Sequence, residues 1–208
     1  MSTIIQETEL INFQEDFIMK QYIEVRWHGR GGQGTVTGAK MLASSVLSTG
    51  MYIQAFPEYG PERRGAPLKA FNRFSKNRIT LHTPVKHPDV VIIVDNTLIG
   101  RNDIVSGIKE NTVFLVNTKD SPEDIQKKLG TENKIFTLAA NQIALDTIGR
   151  AIPNGPMLGL FVKATGLVEL NEVIKAAEKT FRGRFSDKIV EGNIKSIERG
   201  YKEAKENV

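Results

Sequence analysis

The sequence predicts an α/β fold: a single, Rossmann-like domain of three layers, with a mostly parallel sheet covered by helices on both faces. Three observations carry this. Short aliphatic runs such as Val90–Val94 do not alternate with polar residues, as expected of strands buried on both faces. Segments with apolar residues at helical spacing, such as Thr35–Ser48, alternate with those runs along the chain. A glycine-rich turn, Gly29-Arg30-Gly31-Gly32-Gln33-Gly34, joins the first strand to the first helix. Strands alternating with helices imply parallel neighbours joined by crossovers.

The elements follow in order. Residues 1–20 read as an N-terminal extension ahead of an α/β domain at 21–208. Tyr22–Trp27 is the first strand. Thr35–Ser48 is a helix, with Val36, Ala39, Ala43, Val46 and Leu47 on one stripe and Gly50 at its end. Tyr52–Phe56 is a strand. Pro57–Pro67, with three prolines and two glycines, reads as a loop. Leu68–Phe74 and Arg78–Leu81 read as strands, possible arms of a hairpin about Ser75-Lys76-Asn77. Val90–Val94, Thr112–Asn117 and Lys134–Leu138 are further buried strands. A helix begins after Ser121, where Pro122 suits the first turn and Asp124 completes a capping box. Ile143–Ile148, Met157–Thr165, Leu170–Phe181 and Asp187–Glu206 read as helices. The sequence contains no internal repeat.

Composition narrows the function. The chain has 208 residues, 40% hydrophobic and 25% charged, and a formal charge of +4. Its first twenty residues carry −3, leaving +7 on the rest, a balance that suits an anionic ligand or an acidic partner. No dense basic tract with interleaved aromatics points to nucleic acid. No apolar run is long enough to span a membrane, and the N-terminus lacks a signal-peptide core, so a cytoplasmic location is expected. There is no cysteine, so this chain holds neither a thiolate zinc site nor a cysteine-ligated iron–sulfur cluster. His28, His82 and His87 lack metal-ligand spacing, and no metal site is expected.

Two segments carry the chemistry. Gly29, Gly31 and Gly34 satisfy G-x-G-x-x-G between a strand and a helix, which brings backbone N–H groups and a positive helix end to a phosphate. Glu58, after the next strand, sits where a ribose-binding acid of a dinucleotide fold is expected. The loop is not a Walker A motif, because Thr35 stands where lysine is required. The second segment, Phe56-Pro57-Glu58-Tyr59-Gly60-Pro61-Glu62-Arg63-Arg64-Gly65-Ala66-Pro67, is stiffened by proline. Arg63 and Arg64 offer forked donors to phosphate or carboxylate. A solvated charged loop is the plain alternative, but its length and rigidity favour a ligand or subunit contact. Asp95 and Asn96, at a strand end, suit either a contact to a ligand hydroxyl or a cap for the helix starting near Thr97, the cap being favoured. Trp27 and His28 read as packing residues, and no residue is assigned a catalytic role.

These segments, with Pro88–Leu98 and Ile152–Gly159, resemble the gamma subunits of the 2-oxoacid:ferredoxin oxidoreductases, and the pyruvate:ferredoxin (pyruvate synthase) type more than the 2-oxoglutarate type. The resemblance spans roughly Tyr22 to Tyr201. It implies a subunit of a complex that decarboxylates a 2-oxoacid on thiamine diphosphate, passes electrons through iron–sulfur clusters to ferredoxin or flavodoxin, and forms an acyl-coenzyme A such as acetyl-CoA. It implies that Gly29, Arg30, Gly31, Gly32, Gln33 and Gly34 face the phosphates of coenzyme A, with Arg63 and Arg64 as additional contacts. Thiamine diphosphate, magnesium and the clusters are then expected in the partner alpha, beta and delta subunits. This chain has no cysteine and no Gly-Asp-Gly opening of a thiamine-diphosphate motif, so it is expected to be an oxidoreductase subunit that is silent alone. The readings left open are a gamma subunit for another 2-oxoacid (2-oxoglutarate or branched-chain) and a stand-alone NAD(P)-binding Rossmann protein.

Overall fold

A computed structural model describes residues 20–59 and 65–206. Its strands are β1 (Ile23–Arg30), β2 (Tyr52–Tyr59), β3 (Pro67–Ser75), β4 (Val90–Ile93), β5 (Val113–Asn117), β6 (Ile135–Leu138) and β7 (Lys205–Glu206). Its helices are α1 (Thr35–Val46), α2 (Asn102–Val105), α3 (Pro122–Leu129), α4 (Ala140–Ile148), α5 (Asn154–Thr165), α6 (Leu170–Phe181) and α7 (Asp187–Lys202).

The seven strands form one sheet in the order β2-β3-β1-β4-β5-β6-β7. β1, β4, β5 and β6 are mutually parallel. β3 is antiparallel to both β1 and β2, so β2 points the same way as β1. β7 closes the far edge antiparallel to β6. Five of the seven strands therefore run in one direction, with antiparallel pairings confined to the two sides. The loops after β1, β2 and β4 all leave from the same end of the sheet, where ligands of open α/β sheets bind.

Side chains alternate across the sheet. Val25, Trp27, Phe74, Ile92 and Leu115 face a core shared with α1, α5, α6 and α7. Val91, Ile93, Phe114 and Val116 face a smaller core completed by Ile104 of α2 and by Ile125 and Leu129 of α3. Trp27 is fully buried, and its indole N–H donates to Asn72 Oδ1 at 2.8 Å. The Asn72 amide in turn donates to the Ala39 carbonyl, tying β1 and β3 to α1.

Five sequence readings need correction. β2 continues through Pro57 to Tyr59, so the expected Pro57–Pro67 loop is shorter. β2 pairs only with β3, and on its other side the missing proline N–H leaves no ladder bond unmade. Arg78–Leu81 forms no strand: Leu81 O and Thr83 O instead accept from the Gln54 and Arg73 side chains, which hold the segment as coil. The last helix ends at Lys202, and Lys205–Glu206 turns back to pair with Phe136–Thr137. α4 and α5 begin three residues earlier than their apolar periodicity suggests, at Ala140 and Asn154.

Candidate functional site

The turn from β1 into α1 is shaped by two glycines. Gly34 is the N-cap of α1 with φ +77°, a left-handed conformation that favours glycine. Gly29 packs so closely on the helix that an added Cβ would overlap Thr35 Oγ1. The start of α1 has no side-chain cap and no acidic residue in its first turn. α3 offers the contrast, with the Ser121 hydroxyl accepting from Asp124 N–H and with Glu123 and Asp124 in its first turn. Orphan N–H groups at an uncapped start, with the positive end of the helix dipole, favour an anion by about 0.3–1 kcal/mol at an exposed site. Thr35 is buried, and its hydroxyl has no partner among the described residues.

Arg30 and Gln33 serve the loop itself. Gln33 Oε1 accepts from Arg30 N–H at 2.8 Å, and Gln33 Nε2 donates to Asp95 Oδ2 at 2.6 Å. Arg30 Nε lies 3.2 Å from the same carboxylate oxygen, Nη1 donates to Gly65 O, and Nη2 donates to Thr97 Oγ1. Asp95 also caps the short 3-10 helix Asn96–Leu98 by accepting from Thr97 N–H at 2.9 Å. Burial alone would push the Asp95 carboxyl up. Hydrogen bonds from Thr97 and Gln33, with the Arg30 charge, outweigh it and hold the group below its usual range. The glycine loop, the end of β4 and Gly65 are thereby fastened together. The cap role expected for Asp95 is observed.

The loop opens onto a cavity of about 590 Å³. Arg30, Gly31, Gly32 and Gly34 line it, whereas Gly29 lies beneath the loop and Gln33 turns away to Asp95. Arg63 and Arg64 lie outside the described residues. The opposite wall comes from distant sequence: Arg150, Ile152 and Asn154 around the start of α5, and Phe181, Phe185 and Ile189 around α6 and α7. Asn154 Oδ1 accepts from Gly155 N–H, and its Nδ2 sits against Gly34. Phe185 and Ile189 are 50% and 40% exposed, an apolar wall beside a polar floor. Glu58 lines a different cavity on the other face of the sheet, with His28, Lys69, Arg101 and Asp103. It is not placed to take a ribose beside the glycine loop.

Fold and site together define a class: a three-layer α/β chain whose first strand–helix turn presents a glycine loop and an uncapped helix start to a side cavity. The family is clear as well. Residues 24–203 match the model of the pyruvate ferredoxin/flavodoxin oxidoreductase family, and the chain belongs to it. It is 45% identical over 188 residues to pyruvate synthase subunit PorC of Thermotoga maritima, covering 90% of this chain and 97% of that one. It is 42% identical over 180 residues to the pyruvate/ketoisovalerate oxidoreductases common subunit gamma of Thermococcus kodakarensis, covering 86% and 95%. The crystal structure of the Thermotoga maritima pyruvate oxidoreductase subunit superposes with a TM-score of 0.82 at 44% identity, over 91% of this chain and all of that one. No helix among the described residues is long and apolar enough to cross a membrane.

Proposed function

We propose that this chain is the gamma subunit of a cytoplasmic pyruvate:ferredoxin oxidoreductase, and that its glycine-loop cavity receives the nucleotide end of coenzyme A. In this reading residues 21–208 are the gamma-type domain and 1–20 an extension. Partner alpha, beta and delta subunits hold thiamine diphosphate, magnesium and the iron–sulfur clusters, and ferredoxin or flavodoxin takes the electrons. The observation that carries the reading is the uncapped, acid-free start of α1 opening onto a cavity that also offers Arg150, Asn154 and an aromatic wall. Phosphate suits the first three, and a flat base suits the wall formed by Phe181 and Phe185. Gln33 acts mainly by shaping the loop, whereas Arg30 both braces it through Asp95, Gly65 and Thr97 and lines the cavity.

A second reading rests on the Thermococcus relative, whose name describes a subunit common to pyruvate and ketoisovalerate enzymes. One gamma chain serving two 2-oxoacids is consistent with a cavity built for coenzyme A and not for the oxoacid.

Asn154→Asp keeps the side chain's size and places a negative charge in the cavity. Titration calorimetry of the assembled complex should show coenzyme A affinity falling roughly tenfold or more, since losing a donor to phosphate and adding repulsion cost about 1.5–3 kcal/mol. Unchanged affinity removes the site assignment. NAD(P) binding in place of coenzyme A would support the dinucleotide reading.

A further inference from the structure

The cavity on the other face of the sheet belongs to no part of the reading above. It measures about 320 Å³ and is lined by His28, Glu58, Pro67, Leu68, Lys69, Leu98, Arg101 and Asp103. His28 and Lys69 are register partners on β1 and β3, so their side chains stand together on this face. Lys69 Nζ lies 3.8 Å from Glu58 Oε1 and 3.3 Å from Asp103 Oδ2, and Arg101 Nε lies 3.0 Å from Asp103 Oδ1. Behind His28, two residues along β1, Arg26 is 4% exposed. Its Nη2 donates to the Ile104 and Ser106 carbonyls at 3.0 and 2.9 Å. Among the described residues no carboxylate pairs with it.

Two features of this group are unresolved within the described chain. The first is charge. Arg26, Lys69 and Arg101 are three cations, set against the two carboxylates of Glu58 and Asp103 in a partly buried place. The four charges that line the cavity balance, and the positive charge left over is that of Arg26, buried behind His28, where it favours an anion nearby. The second is hydrogen bonding. His28 is 2% exposed, and its Nε2 has no partner, nor does Arg26 Nε. Buried polar groups left unpaired are uncommon in folded proteins, and each calls for an explanation.

We infer that this cavity is a carboxylate-binding pocket, in which Lys69 and Arg101 hold the carboxylate beside the His28 imidazole. A carboxylate brings one negative charge and up to four acceptor sites, which suits the unpartnered His28 Nε2 and the positive charge behind it together. The pocket is near the small end of ligand cavities, large enough for a molecule of a few carbon atoms or for one acidic side chain. Both sources present the same group. The state of His28 agrees with the assignment. Burial lowers its pKa to about 3, Arg26 adds to the fall, Asp103 opposes it, and Lys69 and Arg101 lower it further. An anion seated among those cations would raise it.

Acetate is the probe, titrated into the full chain carrying ¹⁵N-labelled histidine, with chloride at matched ionic strength as control. A saturable shift of the His28 ring nitrogens with acetate alone is expected, weakened roughly tenfold or more in Lys69→Met. Lys69→Arg should restore most of it. No saturable response, or the same response to chloride, overturns the proposal. Repeating the titration in the assembled complex separates the sources. If acetate still binds, the pocket serves a free carboxylate. If acetate is excluded and Lys69→Met weakens assembly by a similar factor, an acidic side chain of a partner chain occupies it. Exclusion of acetate with Lys69→Met assembling at wild-type affinity overturns the proposal.

Discussion

At the scale of single residues, His28 shows how placement decides what a titratable group does. It sits on a central strand, packed on both sides, and burial holds it neutral down to a pKa of about 3. The unfolded chain takes up that proton near the ordinary value of 6.5. Between the two values the unfolded state binds more protons, so stability falls as pH falls through that window, by at most about 1.4 kcal/mol per pH unit. His28→Gln has no proton to take up there. Urea unfolding of both proteins from pH 6.5 to 4.5 should therefore show a steeper loss for wild type. Equal slopes would mean that His28 is protonated in the fold. From sequence His28 reads as a packing residue, and its burial agrees. The charges around it were not legible, because Arg26, Lys69, Arg101 and Asp103 meet only through strand pairing and the turn after β4. Gln33 is a similar case. Its position in a glycine loop suggests a ligand contact, yet an amide with both ends engaged fixes Arg30 N–H to Asp95.

At the scale of elements, the closest contact in the helical layer is between α5 and α7, and glycine makes it possible. A Cβ on Gly159 would overlap Ile197 O and approach Tyr201 N to 2.7 Å, and one on Gly200 would overlap Pro156 O. Gly→Ala in an exposed helix interior stabilises by about 1 kcal/mol. Here the obstruction is backbone, which cannot rotate away, so separating the helices should outweigh that gain. Gly159→Ala is expected to destabilise by about 1–3 kcal/mol net, read as a lower urea midpoint at unchanged slope. A neutral or raised midpoint would place the helices farther apart. Helix positions were legible because apolar side chains repeat at 3.6 residues. This contact was not, because that pattern registers side chains, and a glycine contact is made by their absence. The course of β2 past Pro57 was missed for a related reason. Proline argues against a strand only where its N–H is needed, and edge position cannot be read from one strand alone.

At the scale of the whole molecule, the glycine loop was legible and its cavity was not. The loop is contiguous in sequence, whereas its opposite wall comes from residues more than a hundred positions away, brought in by the packing of α5, α6 and α7. What the chain contributes to a reaction follows from that cavity and from its composition. With no cysteine, it offers no thiolate to an iron–sulfur cluster. If the cavity receives coenzyme A as proposed, a complex lacking only this chain should keep steps that need no coenzyme A and lose those that do. Reconstitution from separate chains tests this. Without the gamma chain, exchange of labelled carbon dioxide into pyruvate should persist, while coenzyme A-dependent reduction of ferredoxin should fall by roughly tenfold or more, the cost of losing a few oriented donors to phosphate. Adding the purified chain back should restore that rate, and the chain alone should show neither activity. If omission abolishes both steps equally while the other subunits stay assembled, the chain supports the decarboxylating centre itself, and its cavity is not where coenzyme A acts.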